Sequence, residues 1–101
     1  MTNKKKIYIA GPMTGYTDYN FPAFLNAEKE LSEKYEVLNP AKNPEQKCYA
    51  DYIRAAIGLL IQCDAIFMLE KWELSKGSKL EWKIAGVLGM EIYFQSGENH
   101  E

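Results

Sequence analysis

The stretch Asp64-Ala-Ile-Phe-Met-Leu69 is a continuous apolar run of strand length, typical of a strand buried on both faces of a parallel sheet. Three further segments, 6–10, 35–38 and 91–94, also have the composition of short strands. Between them, apolar residues recur at helical spacing over 21–34, 49–62 and 78–88. Strands that alternate with helices predict an α/β domain with a parallel sheet of four to five strands and helices on both faces.

The composition is that of one globular domain. The chain has 101 residues, of which 47% are hydrophobic and 26% charged. We expect a single domain over 1–95, followed by a polar tail over 96–101. The net charge of −2 argues against a nucleic-acid polymer or an anionic membrane as partner.

The sequence points to a cytoplasmic protein without a metal or cofactor. We find no signal-peptide stretch and no segment of membrane-spanning length. Cys48 and Cys63 lack metal-ligand spacing, so both are expected to be reduced thiols. The single histidine, His100, lies in the polar tail, where it could not be held in place. Acid–base chemistry would therefore depend on carboxylates, tyrosines or lysines.

Ligands of parallel α/β sheets bind at the carboxyl ends of the strands. The loops expected at that edge are 10–20, 39–47 and 70–77, and they are rich in Gly, Pro, Ser, Thr and aromatic residues. In the first loop, Ala10-Gly-Pro-Met-Thr-Gly15, glycines would let backbone N–H groups approach an anion. This loop matches neither a P-loop nor the GxGxxG fingerprint, and an ordinary strand-exit turn explains it equally well.

The segment Ser75-Lys-Gly-Ser-Lys-Leu-Glu81 is more specific. Gly77 and Ser78 are expected to open a helix, so that free N–H groups and the positive end of the helix dipole point to the ligand edge. Glu81, about one turn into the helix, would be kept ionised by the dipole, as a nucleophile toward a sugar carbon should be. Alternatively, Ser78 and Glu81 form a capping box and have no chemical role.

Several motifs in order resemble the nucleoside 2-deoxyribosyltransferase-like superfamily, in particular a small phage and bacterial branch and the deoxynucleoside 5′-monophosphate N-glycosidases. The resemblance covers residues 7–93. The motifs are Tyr8-Ile-Ala-Gly-Pro12, Asn39-Pro40-Ala41, Cys63-Asp-Ala-Ile66, the stretch from Trp72 through Ser75 and Gly77-Ser78 to Glu81, and 85–89. It implies a flavodoxin-like, Rossmann-like fold, a homodimer or larger homo-oligomer, and cleavage of N-glycosidic bonds of nucleosides or nucleotides without a cofactor. For a phage protein the compartment would be the host cytoplasm.

The resemblance also implies roles for individual residues. Glu81 takes the position of the nucleophile that captures the sugar at its anomeric carbon, and Tyr8 that of the tyrosine that orients it. Ser75 aligns with a phosphate-contacting serine of the monophosphate hydrolases, which favours a nucleotide ligand. The expected substrate-binding residues are Gly11, Pro12, Met13, Thr14, Gly15, Asn39, Trp72, Ser75, Gly77 and Ser78. Trp72 and Tyr16 could stack on a base or could cover the edge of the core.

One position departs from the family pattern. The enzymes carry an aspartate, thought to protonate the leaving base, eight residues before the position of Asp64, and here that residue is Ala56. Asp51 is five residues away, which is not the same helix face. The sequence therefore leaves three hypotheses: an N-glycosidase or deoxyribosyltransferase-like enzyme, a non-catalytic protein that sequesters a nucleotide or NAD-derived signal, and a scaffold in which Glu81 is only a cap.

Overall fold

The computed structural model describes residues 4–13, 15–43 and 48–95. Four strands alternate with three helices, in the order β1 (Lys5–Ala10), α1 (Phe21–Leu31), β2 (Tyr35–Leu38), α2 (Tyr49–Leu60), β3 (Ala65–Met68), α3 (Lys76–Val87) and β4 (Glu91–Phe94). Short 3₁₀ turns precede α1 and follow β2 and β3, at Thr17–Asn20, Pro40–Lys42 and Trp72–Leu74. Thr14 and the tail with His100 lie outside the described residues.

All strand pairs are parallel, and the strand order is β2-β1-β3-β4. This is the order of the first four strands of a flavodoxin-like sheet. The chain leaves β1 toward β2 on one side and returns to β3 on the other, so the order reverses between β1 and β3. In such sheets a crevice opens at this point, outside the carboxyl ends of the strands.

The two faces of the sheet bury different helices because successive side chains of β1 point in opposite directions. Tyr8 and Ala10 share one core cluster with Ala56 and Leu60 of α2 and Ala85 of α3. On the opposite face, the fully buried Ile9 packs in a second cluster with residues of α1, Phe24 and Ala27. The predicted α/β class, with a parallel sheet of four strands and helices on both faces, is confirmed.

Helix α3 begins at Lys76, two residues before the predicted start. Ser75 is its N-cap, and the Oγ of Ser75 accepts a hydrogen bond of 3.2 Å from the backbone N–H of Ser78. Ser78 is thus the third residue of the helix and Glu81 the sixth. The alternative of a capping box between Ser78 and Glu81 is wrong, because a side chain at the sixth position lies beyond the N–H groups that a cap satisfies.

The loop after β1 returns to α1 through a left-handed turn. Asp18, Tyr19 and Asn20 have φ values of 52°, 51° and 63°, a left-handed conformation that Asp and Asn tolerate better than most residues other than glycine. Asn20 is the N-cap residue of α1, but its side chain makes no cap hydrogen bond. Its amide instead donates to the carbonyl oxygen of Pro12 at 2.9 Å and so ties the loop to the start of the helix.

None of the helices in the described parts of the chain is both long and apolar enough to cross a membrane.

Candidate functional site

A cavity of about 420 Å³ opens at the carboxyl end of β1, between α2 and the first turn of α3. The loop after β1, helix α1 and the turns after β2 and β3 also contribute lining residues. Its lining includes a polar set of four tyrosines, two serines, one lysine and one carboxylic acid: Tyr8, Tyr16, Tyr49, Tyr52, Ser75, Ser78, Lys76 and Glu81. A volume of this size suits a small-molecule ligand.

Glu81 and Tyr8 meet inside this cavity. The Tyr8 hydroxyl donates a hydrogen bond to Oε2 of Glu81, and the two residues are 1% and 5% exposed. Tyr8 reaches the carboxyl group because the side of β1 that carries it faces α3. Burial, and next the charge of Glu81, raise the pKa of Tyr8 well above its usual value, so this hydroxyl remains a donor.

The protonation of Glu81 differs from the expectation of a fully ionised carboxylate. Burial raises its pKa to about 7, although the hydrogen bond from Tyr8 acts in the opposite direction. The helix dipole adds little, because its effect falls off within the first turn and Glu81 lies beyond that turn. Near neutral pH the carboxyl group is therefore divided between its neutral and ionised forms.

The first turn of α3 has the features of an anion site. It carries two lysines, Lys76 and Lys79, and no acidic residue. Lysines at this end of a helix are unfavourable in isolation, because they add to the positive end of the dipole. Gly77 lets this turn approach α2 closely, since a Cβ there would lie 3.1 Å from the Tyr49 hydroxyl and 3.2 Å from Cδ1 of Ile53.

Ser78 has a buried hydroxyl without a hydrogen-bond partner among the described residues. The residue is 1% exposed and lines the cavity one turn before Glu81. An unpaired buried hydroxyl costs free energy, roughly 1–3 kcal/mol when a partner has been taken away. A ligand that supplies a partner would remove this cost.

We expect Ser78→Ala to leave the stability of the unliganded protein unchanged or to raise it by up to ~1 kcal/mol, because no hydrogen bond of the side chain is lost. Thermal unfolding would measure this. Ser75→Ala is the matched control, since it removes the N-cap of α3 and should lower the free energy of unfolding by ~1 kcal/mol. A clear loss of stability in Ser78→Ala would show that its hydroxyl is already satisfied.

The first loop contributes only in part to the cavity. Gly11, Pro12 and Met13 line it, Gly15 is not among the lining residues, and Thr14 lies outside the described residues. Gly11 has a packing reason to be glycine, because a Cβ there would lie 2.7 Å from Cδ1 of Leu69.

Two predicted binding residues lie elsewhere. Asn39 is buried with its amide already paired: Oδ1 accepts from the N–H of Ala41 at 2.9 Å, and Nδ2 donates to Glu28 at 3.0 Å. It holds the turn after β2 and is absent from the cavity lining.

Trp72 is also absent from the lining of this cavity. Its ring packs against Trp82 and Phe94, with ring centroids 5.3 Å and 5.9 Å apart. Trp72 therefore covers the edge of the core, which was the second of its two possible roles. It does so because α3 and β4 place aromatic rings against it there. Tyr16, the other aromatic considered, does line the cavity.

Position 56 contributes no acid to the site. Ala56 is 1% exposed in the core cluster that includes Tyr8. Asp51 forms an ion pair of 2.8 Å with Arg54 and does not line the cavity. Glu81 is therefore the one carboxylic acid among the described lining residues, and no group of three or more His, Cys, Asp or Glu in residues 4–13, 15–43 and 48–95 could hold a metal ion.

Three polar lining residues were not anticipated from the sequence as site residues: Lys76, Tyr49 and Tyr52. Tyr52 had a usable signal, because it precedes Ala56 by four residues and shares its helix face. Its place on the apolar side of α2 made it look like a core residue instead.

Comparison with known proteins gives a family and a fold. A 2-deoxyribosyltransferase from Leishmania mexicana has a similar structure, with a TM-score of 0.72 and 24% sequence identity over 89% of this chain. The chain spans 63% of the length of that protein. The fold expected from the resemblance to the deoxyribosyltransferases is thereby confirmed. No curated protein matches the sequence.

Residues 5–94 match the sequence model of a family described as a domain of unknown function, DUF4406. This match extends from the first residue of β1 to the last residue of β4. The chain therefore belongs to the DUF4406 family, and it has the α/β fold of a deoxyribosyltransferase.

Proposed function

We propose that this protein cleaves the N-glycosidic bond of a nucleoside or deoxynucleoside 5′-monophosphate, with Glu81 as the nucleophile. The observation that carries the proposal is the buried Glu81 carboxyl group, held by the Tyr8 hydroxyl inside the cavity. A buried carboxyl group that is not paired with a cation costs stability, which is typical of functional sites. The similarity in fold to a 2-deoxyribosyltransferase agrees with this chemistry.

In the proposed reaction, an oxygen of the ionised Glu81 attacks C1′ of the sugar while the bond from C1′ to the base breaks. The bonding electrons leave with the base, and an ester joins Glu81 to the sugar. Water, or a second base, then attacks C1′ and releases the carboxylate. Tyr8 supports the first step by fixing one carboxyl oxygen, so that the other is free to face the sugar.

The 5′-phosphate would bind at the first turn of α3. Lys76 supplies the cationic side chain among the described lining residues, and the N–H groups of the first helical positions have no intrahelical partner. A phosphate there would offset the unfavourable charge of Lys76 at the positive end of the helix. Ser75, which already accepts the N–H of Ser78, would contribute its own hydroxyl proton.

A panel of nucleosides and their 5′-monophosphates, with ribose and with deoxyribose, tests the proposal. We expect release of free base, measured by chromatography, and a preference for monophosphates. Lys76→Gln should reduce that preference by ~10-fold, because a charge-assisted contact contributes roughly 1.5–3 kcal/mol. Lys83→Gln, an exposed lysine further along α3 that does not line the cavity, is the matched control and should leave the preference unchanged.

A second candidate function is nucleotide binding without turnover, with a nucleotide or an NAD-derived signal as the bound molecule. The specific observation in its favour is Ala56, since general acid catalysis contributes ~10²–10⁴-fold and the cavity has no second acid among the described residues. A thermal shift with each nucleotide of the panel separates the two functions. Stabilisation by a nucleotide with no base release from any substrate would support the binder and overturn the enzyme.

A further inference from the structure

Among the described residues, the Tyr52 hydroxyl donates only to a weak acceptor. Tyr52 lies on α2 and lines the cavity, and the acceptor of its hydroxyl is the thioether sulfur of Met13. A thioether is a weak acceptor, so a ligand oxygen or nitrogen would displace it. Burial, and next the charge of Glu81, raise the pKa of Tyr52, so the hydroxyl keeps its proton at neutral pH.

The position of Tyr52 on α2 relates it to the missing acid. Tyr52 and Ala56 are four residues apart on the same helix face, and the Ala56 methyl group is buried in the core. Tyr52 is therefore the residue on this helix face that lines the cavity, one turn nearer the N-terminus of α2 than Ala56. The negative charge of Glu81 contributes to the raised pKa of Tyr52. Asp51, by contrast, forms an ion pair with Arg54.

We infer that the Tyr52 hydroxyl donates a hydrogen bond to the departing base and takes the place of the acid that position 56 lacks. This inference rests on the proposed cleavage of the N-glycosidic bond. Negative charge develops on the base as it takes the electron pair of the broken bond, and a donor aimed at that charge lowers the barrier. The role needs only a donor, which a tyrosine that stays protonated supplies.

The step balances without proton loss from Tyr52. Glu81 forms its ester bond to C1′ as the bond from C1′ to the base nitrogen breaks, and the base leaves as an anion hydrogen-bonded to Tyr52. The anion takes a proton from water and becomes the neutral base. The hydroxide that remains attacks C1′, forms the free sugar hydroxyl and releases the Glu81 carboxylate.

Two substrates with different leaving groups test this role. The base of an ordinary purine nucleoside 5′-monophosphate leaves as an anion. The 7-methylguanine of 7-methylguanosine 5′-monophosphate carries a positive charge in the substrate and leaves as a neutral base. Tyr52→Phe should lower kcat for the ordinary purine by ~10²-fold, the loss that follows removal of one donor from developing charge. For the 7-methylguanine substrate the loss should stay below ~3-fold, because that base needs no donor.

Tyr93→Phe is the control, since it removes the hydroxyl of a tyrosine on β4 that does not line the cavity. Its kcat should equal that of the wild type for both substrates, and thermal unfolding should show that Tyr52→Phe is folded. Equal losses of kcat for both substrates, or no loss for either, would overturn the role of Tyr52 while the proposed cleavage stands. Absence of base release from both substrates in the wild type would instead overturn the proposed function, and this inference with it.

Discussion

Replacing Glu81 with glutamine is expected to lower base release by at least ~10³-fold, because an amide cannot form the ester to C1′. Glutamine has nearly the same shape and keeps an oxygen that can accept the hydrogen bond from Tyr8. It also carries no charge, so the buried position becomes easier to satisfy. The folded structure should therefore survive the change.

Base release from the preferred monophosphate, measured at one enzyme concentration for both proteins, would test this expectation. Glu73→Gln is the matched control: Glu73 is an exposed carboxylate in the turn before α3, outside the cavity lining, and its loss should not alter the rate. If Glu81→Gln keeps a rate within ~10-fold of the wild type, Glu81 is not the nucleophile. Nucleotide binding by a folded Glu81→Gln would show that the substrate site remains intact.

The stability of the wild type relative to Glu81→Gln is expected to fall by about 3 kcal/mol as the pH rises from about 4.5 to about 8. Burial raises the pKa of Glu81 to about 7 in the folded protein, from an ordinary value of 4.5. Between these two values the unfolded chain has released the proton and the folded chain still holds it. Rising pH therefore favours unfolding. The stabilisation that the raised pKa of Glu81 provides is fully present below pH 4.5, declines between pH 4.5 and about 7, and is lost above about 7.

Urea unfolding of both proteins at several pH values across this range would measure the effect. The difference between the two free energies of unfolding isolates Glu81, because every other titrating group is common to both. A difference that does not change with pH would mean that the carboxyl group titrates normally. The same ionisation should affect the proposed activity in the opposite direction, since kcat/KM needs the carboxylate and should fall ~10-fold for each pH unit below 7.

The fold was predictable because its signals are local. The sheet was predicted from the apolar run of β3 and from the strand-like segments 35–38 and 91–94. In the structure, β2 covers the first of these segments and β4 the second. Helix α3 was predicted two residues late, because both Ser75 and Ser78 can cap a helix and only the tertiary position of the chain decides between them. Alternation of strands and helices then sufficed for the class.

The site was less predictable, because its residues come from several elements. The sequence, with the resemblance, selected the pair Tyr8 and Glu81, which do meet. It could not separate Trp72, which packs against the core, from Tyr16, which lines the cavity, because both are aromatic residues in loops at the ligand edge. Nor could the sequence show that Tyr52 lines a cavity while Ala56, on the same helix face, lies in the core. Periodicity gives the direction of a side chain around a helix but not what lies opposite each turn.

The shape of the cavity depends in part on the lack of a side chain at Gly11 and Gly77. At each position a single added methyl group would press on a neighbour, on Leu69 behind the first loop and on Tyr49 across the cavity wall. At Gly11 such overpacking typically costs about 1–3 kcal/mol, whereas at Gly77 the neighbouring side chains would have to move by a few tenths of an ångström. Libraries made to redirect the substrate range should therefore keep both glycines fixed and diversify Leu74, an exposed residue that lines the same cavity.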